Sequence, residues 1–140
     1  MRGRLMAKKT SVVTFKMSKE LDHAVQKRVV EEGYGFNGKS KWVCQSIVKF
    51  LGFHDKEFVI ESISNAGFVK DKEKLCSARI TPEIESLIDE WVVHCRMSDP
   101  TLEGLRSKIV RASIVNGLDR TIELFNKLGE AKILDSENNN

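Results

Sequence analysis

Three cysteines (Cys44, Cys76, Cys95), three histidines (His23, His54, His94) and one acidic group (Glu83, Glu85, Asp89) are the side chains whose types admit catalysis or metal binding. Their spacing argues against both. A zinc site needs about four ligands at workable spacing, yet no Cys-x-x-Cys occurs and the histidines stand far apart. His94 adjoins Cys95, but neighbours on a helix do not face each other and make a poor nucleophile–base pair. The three acids share their stretch with apolar residues and read as a solvated helix face. No G-x-S-x-G, phosphate loop or H-E-x-x-H is present. The expectation is a protein with no catalytic residue, no metal and no cofactor, in which each cysteine is a small buried hydrophobe.

The composition sets the frame in which the remaining residues act. The chain has 140 residues, 41% hydrophobic and 31% charged, with a net charge of +3. That is a globular balance, enough for one domain or two very small ones sharing a core. No apolar stretch reaches the roughly 18–20 residues of a membrane span. The basic start, Met1-Arg2-Gly3-Arg4-Leu5, has no apolar run behind it. An odd number of cysteines fits a reducing compartment. A cytoplasmic protein without membrane association is expected.

The dominant signal is an internal repeat. Lys16-Met17-Ser18-Lys19-Glu20-Leu21 aligns with Arg79-Ile80-Thr81-Pro82-Glu83-Ile84, an offset of 63 (16 to 79), and Arg28-Val29-Val30 meets Trp91-Val92-Val93 in the same register. Further on, Ser40-Lys41-Trp42-Val43 meets Ser107-Lys108-Ile109-Val110, at an offset of 67 (40 to 107). The second copy therefore carries four extra residues, expected in its loop, where insertions are tolerated.

Each copy reads as strand, helix, helix. Val13, Phe15 and Met17 alternate with Val12, Thr14 and Lys16; Cys76, Ala78 and Ile80 alternate with Leu75, Ser77 and Arg79. Ser18 and Thr81 are expected N-caps, with Pro82 at the first helical position. Leu21, Val25 and Val29, then Ile84, Leu87, Ile88, Trp91 and Val92, give the first helices their apolar stripes. Gly33 is expected to end the first of these. Ser40 and Ser107 are the expected caps of the second helices, whose stripes are Val43, Ile47, Phe50 and Leu51, then Val110, Ile114, Leu118, Ile122 and Phe125. Gly52 is expected to stop the first of these, and Gly117 to bend or shorten the second. Trp42 and Trp91 read as core. The division is a basic arm at 1–9, a first unit at 10–52, a connector at 53–73, a second unit at 74–128 and a tail at 129–140. Phe58-Val59-Ile60 in the connector reads as a short strand or as packing.

A six-residue strand cannot stand alone. The two strands are expected to pair as an antiparallel ribbon over interlocked helices, burying Val13, Phe15, Met17, Cys76, Ala78 and Ile80. Val12, Thr14, Lys16, Leu75, Ser77 and Arg79 would then face outward, since a one-residue slip would expose Phe15 and Met17.

These segments, Val13 to Leu21 and Cys76 to Ile84 with a second helix behind each, resemble the ribbon-helix-helix family of DNA-binding proteins. Two departures stand out: the turn before the second helix is enlarged in both copies, and Val12 and Leu75 are apolar at outward positions. The resemblance implies a mainly α fold with a two-stranded antiparallel ribbon, two units being fused as an intramolecular pseudo-dimer. It implies that the ribbon enters the major groove of double-stranded DNA. Lys16 and Arg79 would meet guanine or a nearby phosphate, Thr14 and Ser77 either base type, and Val12 and Leu75 thymine methyls. The starts of the second helices, Lys39-Ser40-Lys41 and Arg106-Ser107-Lys108, would meet phosphates, as would Lys8 and Lys9 of the arm. Because the two strands differ, a non-palindromic site is expected.

Single-chain tandem forms are similar to accessory proteins of conjugative elements, which bind near an origin of transfer and help position a relaxase or other DNA-processing protein. The rival expectations are a transcriptional repressor with the same groove contacts, and an antitoxin-like interaction module whose segment 121–140 wraps a partner. A fused pseudo-dimer leaves helix faces for further oligomerisation.

Overall fold

The protein is seen in a computed structural model that describes residues 10–35, 38–66 and 73–119. The arm at 1–9, the tail at 129–140, and Ile122 and Phe125 lie outside the described residues. Among the described residues two strands and five helices follow one another: β1 (Ser11–Ser18), α1 (Lys19–Glu31), α2 (Lys39–Phe53), α3 (Lys56–Asn65), β2 (Glu73–Ile80), α4 (Pro82–Ser98) and α5 (Leu105–Leu118). The fold is thus mainly helical with one two-stranded antiparallel sheet.

β1 is rich in β-branched and aromatic residues and alternates cleanly. β2 (Glu-Lys-Leu-Cys-Ser-Ala-Arg-Ile) has weak strand propensity and takes its conformation from pairing with β1. The pairing sets Val12 against Arg79, Thr14 against Ser77 and Lys16 against Leu75. Val13, Phe15, Met17, Cys76, Ala78 and Ile80 point into the core and are buried, as the alternation requires.

The ribbon lies on the helices. α5 packs on β1 and α2 on β2, while α2 and α5 pack against each other at the centre. Residues Ile109 to Ile114 of α5 are buried in succession, so the middle of this helix is enclosed on all sides. Its Ser113 hydroxyl donates to the Ile109 carbonyl (2.7 Å), which satisfies it locally. Near the end of α5 the approach to α2 is so close that a Cβ on Gly117 would stand 2.6 Å from Ser46 Oγ and 3.2 Å from the Trp42 ring. Arg28 of α1, also buried, donates to the carbonyls of Gly117 (3.3 Å) and Leu118 (3.0 Å) and so closes the C-terminal end of α5.

Local signals account for several boundaries. Ser18 Oγ accepts from the Leu21 N–H (3.0 Å) and Thr81 Oγ1 from the Ile84 N–H (3.3 Å), with Pro82 opening α4. Gly33, at φ 78°, ends α1. Trp42 and Trp91 are buried.

Other boundaries differ from expectation. The four extra residues of the second copy do not enlarge the loop. They lengthen the first helix, from 13 residues in α1 to 17 in α4. Four residues are about one helical turn, so the chain still leaves the helix on the same side. Gly52 does not stop α2, which runs one residue further and turns at His54. Of the two expectations for Phe58-Val59-Ile60, packing holds and the strand does not, because the run lies in a helix. Asp55 caps a ten-residue helix, accepting from the Phe58 N–H (2.9 Å), and Val59 and Ile63, one turn apart, are buried against α5. α5 begins at Leu105 rather than at Ser107.

Candidate functional site

The outward face of the ribbon carries the six residues expected there, and all six are exposed. Val12 (60%) and Leu75 (67%) leave most of their apolar surface in water although the core has no use for them. Each end of the ribbon pairs one cation with one apolar residue, Arg79 with Val12 and Lys16 with Leu75, and the two hydroxyls of Thr14 and Ser77 sit between.

The backbone beneath both cations is pinned by a helix. At Arg79 the N–H donates to Ser40 Oγ (3.0 Å) and the carbonyl accepts from Cys44 Sγ (3.3 Å), both on α2. At Lys16 the carbonyl accepts from Arg111 Nη1 (3.1 Å) on α5. Arg111 also donates to Ser107 Oγ (3.3 Å) and, through Nη2 and Nε, to the Ala66 carbonyl (2.9 and 3.3 Å).

These contacts correct the expected role of two serines. Ser40 and Ser107 cap nothing: Gly38 and Gly104 occupy the N-cap positions of α2 and α5, without a side-chain hydrogen bond. Each serine lies within its helix, where its hydroxyl is better used by a neighbour, Arg79 for Ser40 and Arg111 for Ser107.

α2 and α5 are also the only described helices with no acid in the first turn, whereas α1, α3 and α4 each carry one or two there. Instead their first turns hold Lys39 and Lys41, or Arg106 and Lys108. Cations at the positive end of a helix dipole are unfavourable for the helix itself. Bare N–H groups beside cations make instead a place suited to an anion.

Two of the four cations are already engaged. Lys39 Nζ lies 2.7 Å from Oδ1 of Asp22, and Lys74 Nζ lies 2.8 Å from its Oδ2. Asp22 is buried and also accepts from Gln26 (2.8 Å). Burial by itself would raise the Asp22 carboxyl, but the hydrogen bonds and charges of Lys39 and Lys74 outweigh it and hold it below the usual carboxylate range. The hydrogen bond to Asp22 in turn pushes the Lys74 ammonium up. Arg106 pairs with Asp89 and with Glu85 (3.5 Å). Lys41 is exposed and Lys108 half-buried. Lys8 and Lys9 lie outside the described residues.

Asp22 and Arg111 are the site-supporting residues that the motif reading did not single out, and Cys44, expected to be a small buried hydrophobe, is instead half-buried and holds the Arg79 carbonyl. The repeat held a signal for them. Asp22 and Glu85 are both acids at the 63-residue offset, Lys39 and Arg106 both cations at the 67-residue offset, and Cys44 and Arg111 are counterparts.

Burial pushes the thiols of Cys44, Cys76 and Cys95 up, away from reactive thiolates. Among the described residues no three His, Cys, Asp or Glu side chains gather to hold a metal, and no helix is long and apolar enough to cross a membrane. Compared with known protein families, with curated proteins and with solved structures, the chain matches none.

Proposed function

We propose that the chain is a tandem ribbon-helix-helix protein, folded as an intramolecular pseudo-dimer, that reads double-stranded DNA with its ribbon in the major groove. The observation that carries this reading is the register. The residues set opposite each other at the ribbon's centre, Thr14 and Ser77, are also counterparts in the repeat. Lys16 and Arg79 are counterparts too, and they fall at opposite ends. Cys44 and Arg111, counterparts again, hold the carbonyls of Arg79 and Lys16. A local two-fold relation through Thr14 and Ser77 accounts for all of these at once.

The groove of B-DNA admits a two-stranded ribbon and displays acceptors and thymine methyls on its floor. The exposed face offers matching groups: two cations, two hydroxyls and two apolar side chains. The bare N-termini of α2 and α5, with Lys41 and Lys108, suit the phosphates on either side. Lys39 and Arg106 support those turns through Asp22, Glu85 and Asp89 and contribute mainly field. Since the ends of the ribbon differ, the site is non-palindromic. A fixed asymmetric orientation suits an accessory factor in conjugative DNA transfer or processing, which must set a relaxase or similar enzyme on one side. No step of this reading calls for catalysis by the chain.

The test is selection of bound duplexes from a random pool at near-physiological salt. An enriched asymmetric motif, lost in the Lys16→Ala/Arg79→Ala double variant, is the expected result. Salt-sensitive binding with no enriched motif would reduce the interaction to backbone attraction and overturn the reading.

A further inference from the structure

The starts of α2 and α5 are tied down by ion-pair networks of opposite sign. On the α2 side one carboxylate serves two cations: Asp22 takes Lys39 at 2.7 Å and Lys74 at 2.8 Å, and Gln26 donates to it as well (2.8 Å). On the α5 side two carboxylates share one cation: Arg106 pairs with Asp89 and, at 3.5 Å, with Glu85. The repeat relates the two networks member by member. Asp22 answers to Glu85 and Lys39 to Arg106, which keeps the signs. Neutral Gln26 answers to Asp89, however, and Lys74 answers to neutral Ser11. Each of these two exchanges makes the α5 side more negative by one charge. The α2 network is left with one positive charge in excess, and the α5 network with one negative.

Exposure differs in the same sense. The Asp22 side chain is 5% exposed, whereas those of Glu85 and Asp89 are 39% and 58% exposed. Asp89 and Arg106 line one cleft with Val12 and Thr14 of the ribbon and Ser107 of α5, and Arg96 shares its wall. These acids therefore stand beside the ribbon, on the side where a phosphate would approach the start of α5. A guanidinium grips carboxylate and phosphate with the same fork of donors. Glu85 and Asp89 thus compete with a phosphate for Arg106 and repel it as well.

We infer that Glu85 and Asp89 hold Arg106 back from DNA phosphate, so that the α2 flank carries the firmer grip and the α5 flank stays the weaker half of the clamp. The inference rests on the reading of the chain as a DNA-binding protein. It adds two acids that limit the affinity and give the grip a direction.

The test is the salt dependence of binding to one duplex. It compares the parent, the Glu85→Gln/Asp89→Asn variant, and that variant with Arg106→Gln added. Exposed ion pairs contribute little to stability, so the amide variants should keep the fold. Freeing Arg106 for one more phosphate contact is expected to steepen the salt slope by about 0.9 and to tighten binding about fivefold at about 0.15 M salt. Adding Arg106→Gln should return the slope to that of the parent. A double variant that binds no tighter and no more steeply than the parent would overturn the inference. A gain that survives Arg106→Gln would also overturn it, by assigning the effect to the lost negative charge alone. The slope can be read on any duplex, so a selection that enriches no motif removes the base reading and leaves this inference standing. Binding of no duplex by parent or variant would remove both.

Discussion

Thr14 and Ser77 face each other across the ribbon, and they are the pair that the 63-residue repeat equates. A self-paired position of this kind fixes the centre of any site the ribbon reads, and places Lys16 and Arg79 at equal steps on either side of it. The two halves are nevertheless unequal. A guanidinium can grip guanine O6 and N7 with two donors in a fixed fork, whereas an ammonium acts as a point charge.

The halves should therefore differ in stringency. Arg79→Ala is expected to weaken binding by about 1–3 kcal/mol, roughly ten- to a hundredfold, and to relax base preference at one end of the site only. Lys16→Ala should relax the other end by less. Selection with each single variant, aligned on the parent motif, checks this. Loss at the same positions in both would be incompatible with the register. Both side chains are exposed, so melting temperatures should stay close to that of the parent.

Phosphate contact should divide the four basic residues at the helix starts. Lys41→Ala and Lys108→Ala are expected to weaken binding to every sequence alike and to lower the salt slope by about 1 each. Lys39→Ala should act on stability, because its partner Asp22 is buried. Titrations over a series of salt concentrations, beside urea melts, separate the two effects.

Much of this arrangement was legible in the sequence because the ribbon and the first helices obey local rules. The period-two alternation fixed the buried face, and Ser18, Thr81 and Pro82 marked helix starts through groups that act within one turn. The misses arose where a local signal met a distant partner. Ser40 looks like a cap, but its hydroxyl is claimed by Arg79, thirty-nine residues away. The connector hid a helix because Phe58-Val59-Ile60 is a β-favouring run; the helical signal is Val59 and Ile63, one turn apart, which are buried in the core. The extra residues of the second copy went into α4 because one added turn preserves its facing, which offset alone cannot reveal. Asp22 escaped the motif reading because its two lysines come from α2 and β2, and only the charge correspondence in the repeat marked it.

Gly117 sets how closely α5 meets α2. Alanine would gain roughly 1 kcal/mol of helix propensity at that position. Its Cβ would, however, stand 2.6 Å from Ser46 Oγ and 3.2 Å from the Trp42 ring, an overpacking worth about 1–3 kcal/mol. The neighbours are a short side chain and a buried indole, neither with a long flexible end to move aside. Gly117→Ala should therefore destabilise the fold by about 1–2 kcal/mol on balance. Adding Ser46→Ala, which removes the nearer obstacle, should recover part of the loss in chemical denaturation. A stabilised Gly117→Ala would show that the helices have room to separate.

Asp22 ties α1 to the start of α2 and to β2, and its titration should be visible in the stability of the whole chain. Its carboxyl is held below the usual range despite burial, by Lys39 and Lys74. The unfolded carboxyl titrates near 3.9. Because the folded value is lower, ionised Asp22 favours the folded chain at every pH above about 3.9, and that contribution is lost as acid carries the pH down through the folded value. Asp22→Asn abolishes the titration. At neutral pH the variant should be less stable by about 1–3 kcal/mol, below the 3–5 of a fully buried pair because both lysines reach water. Urea melts of parent and variant from pH 7 to pH 2 should then converge as the pH falls below about 4. A gap that stays constant across that range would assign the loss to packing and remove the ion pairs from the account of how the α2 start is held.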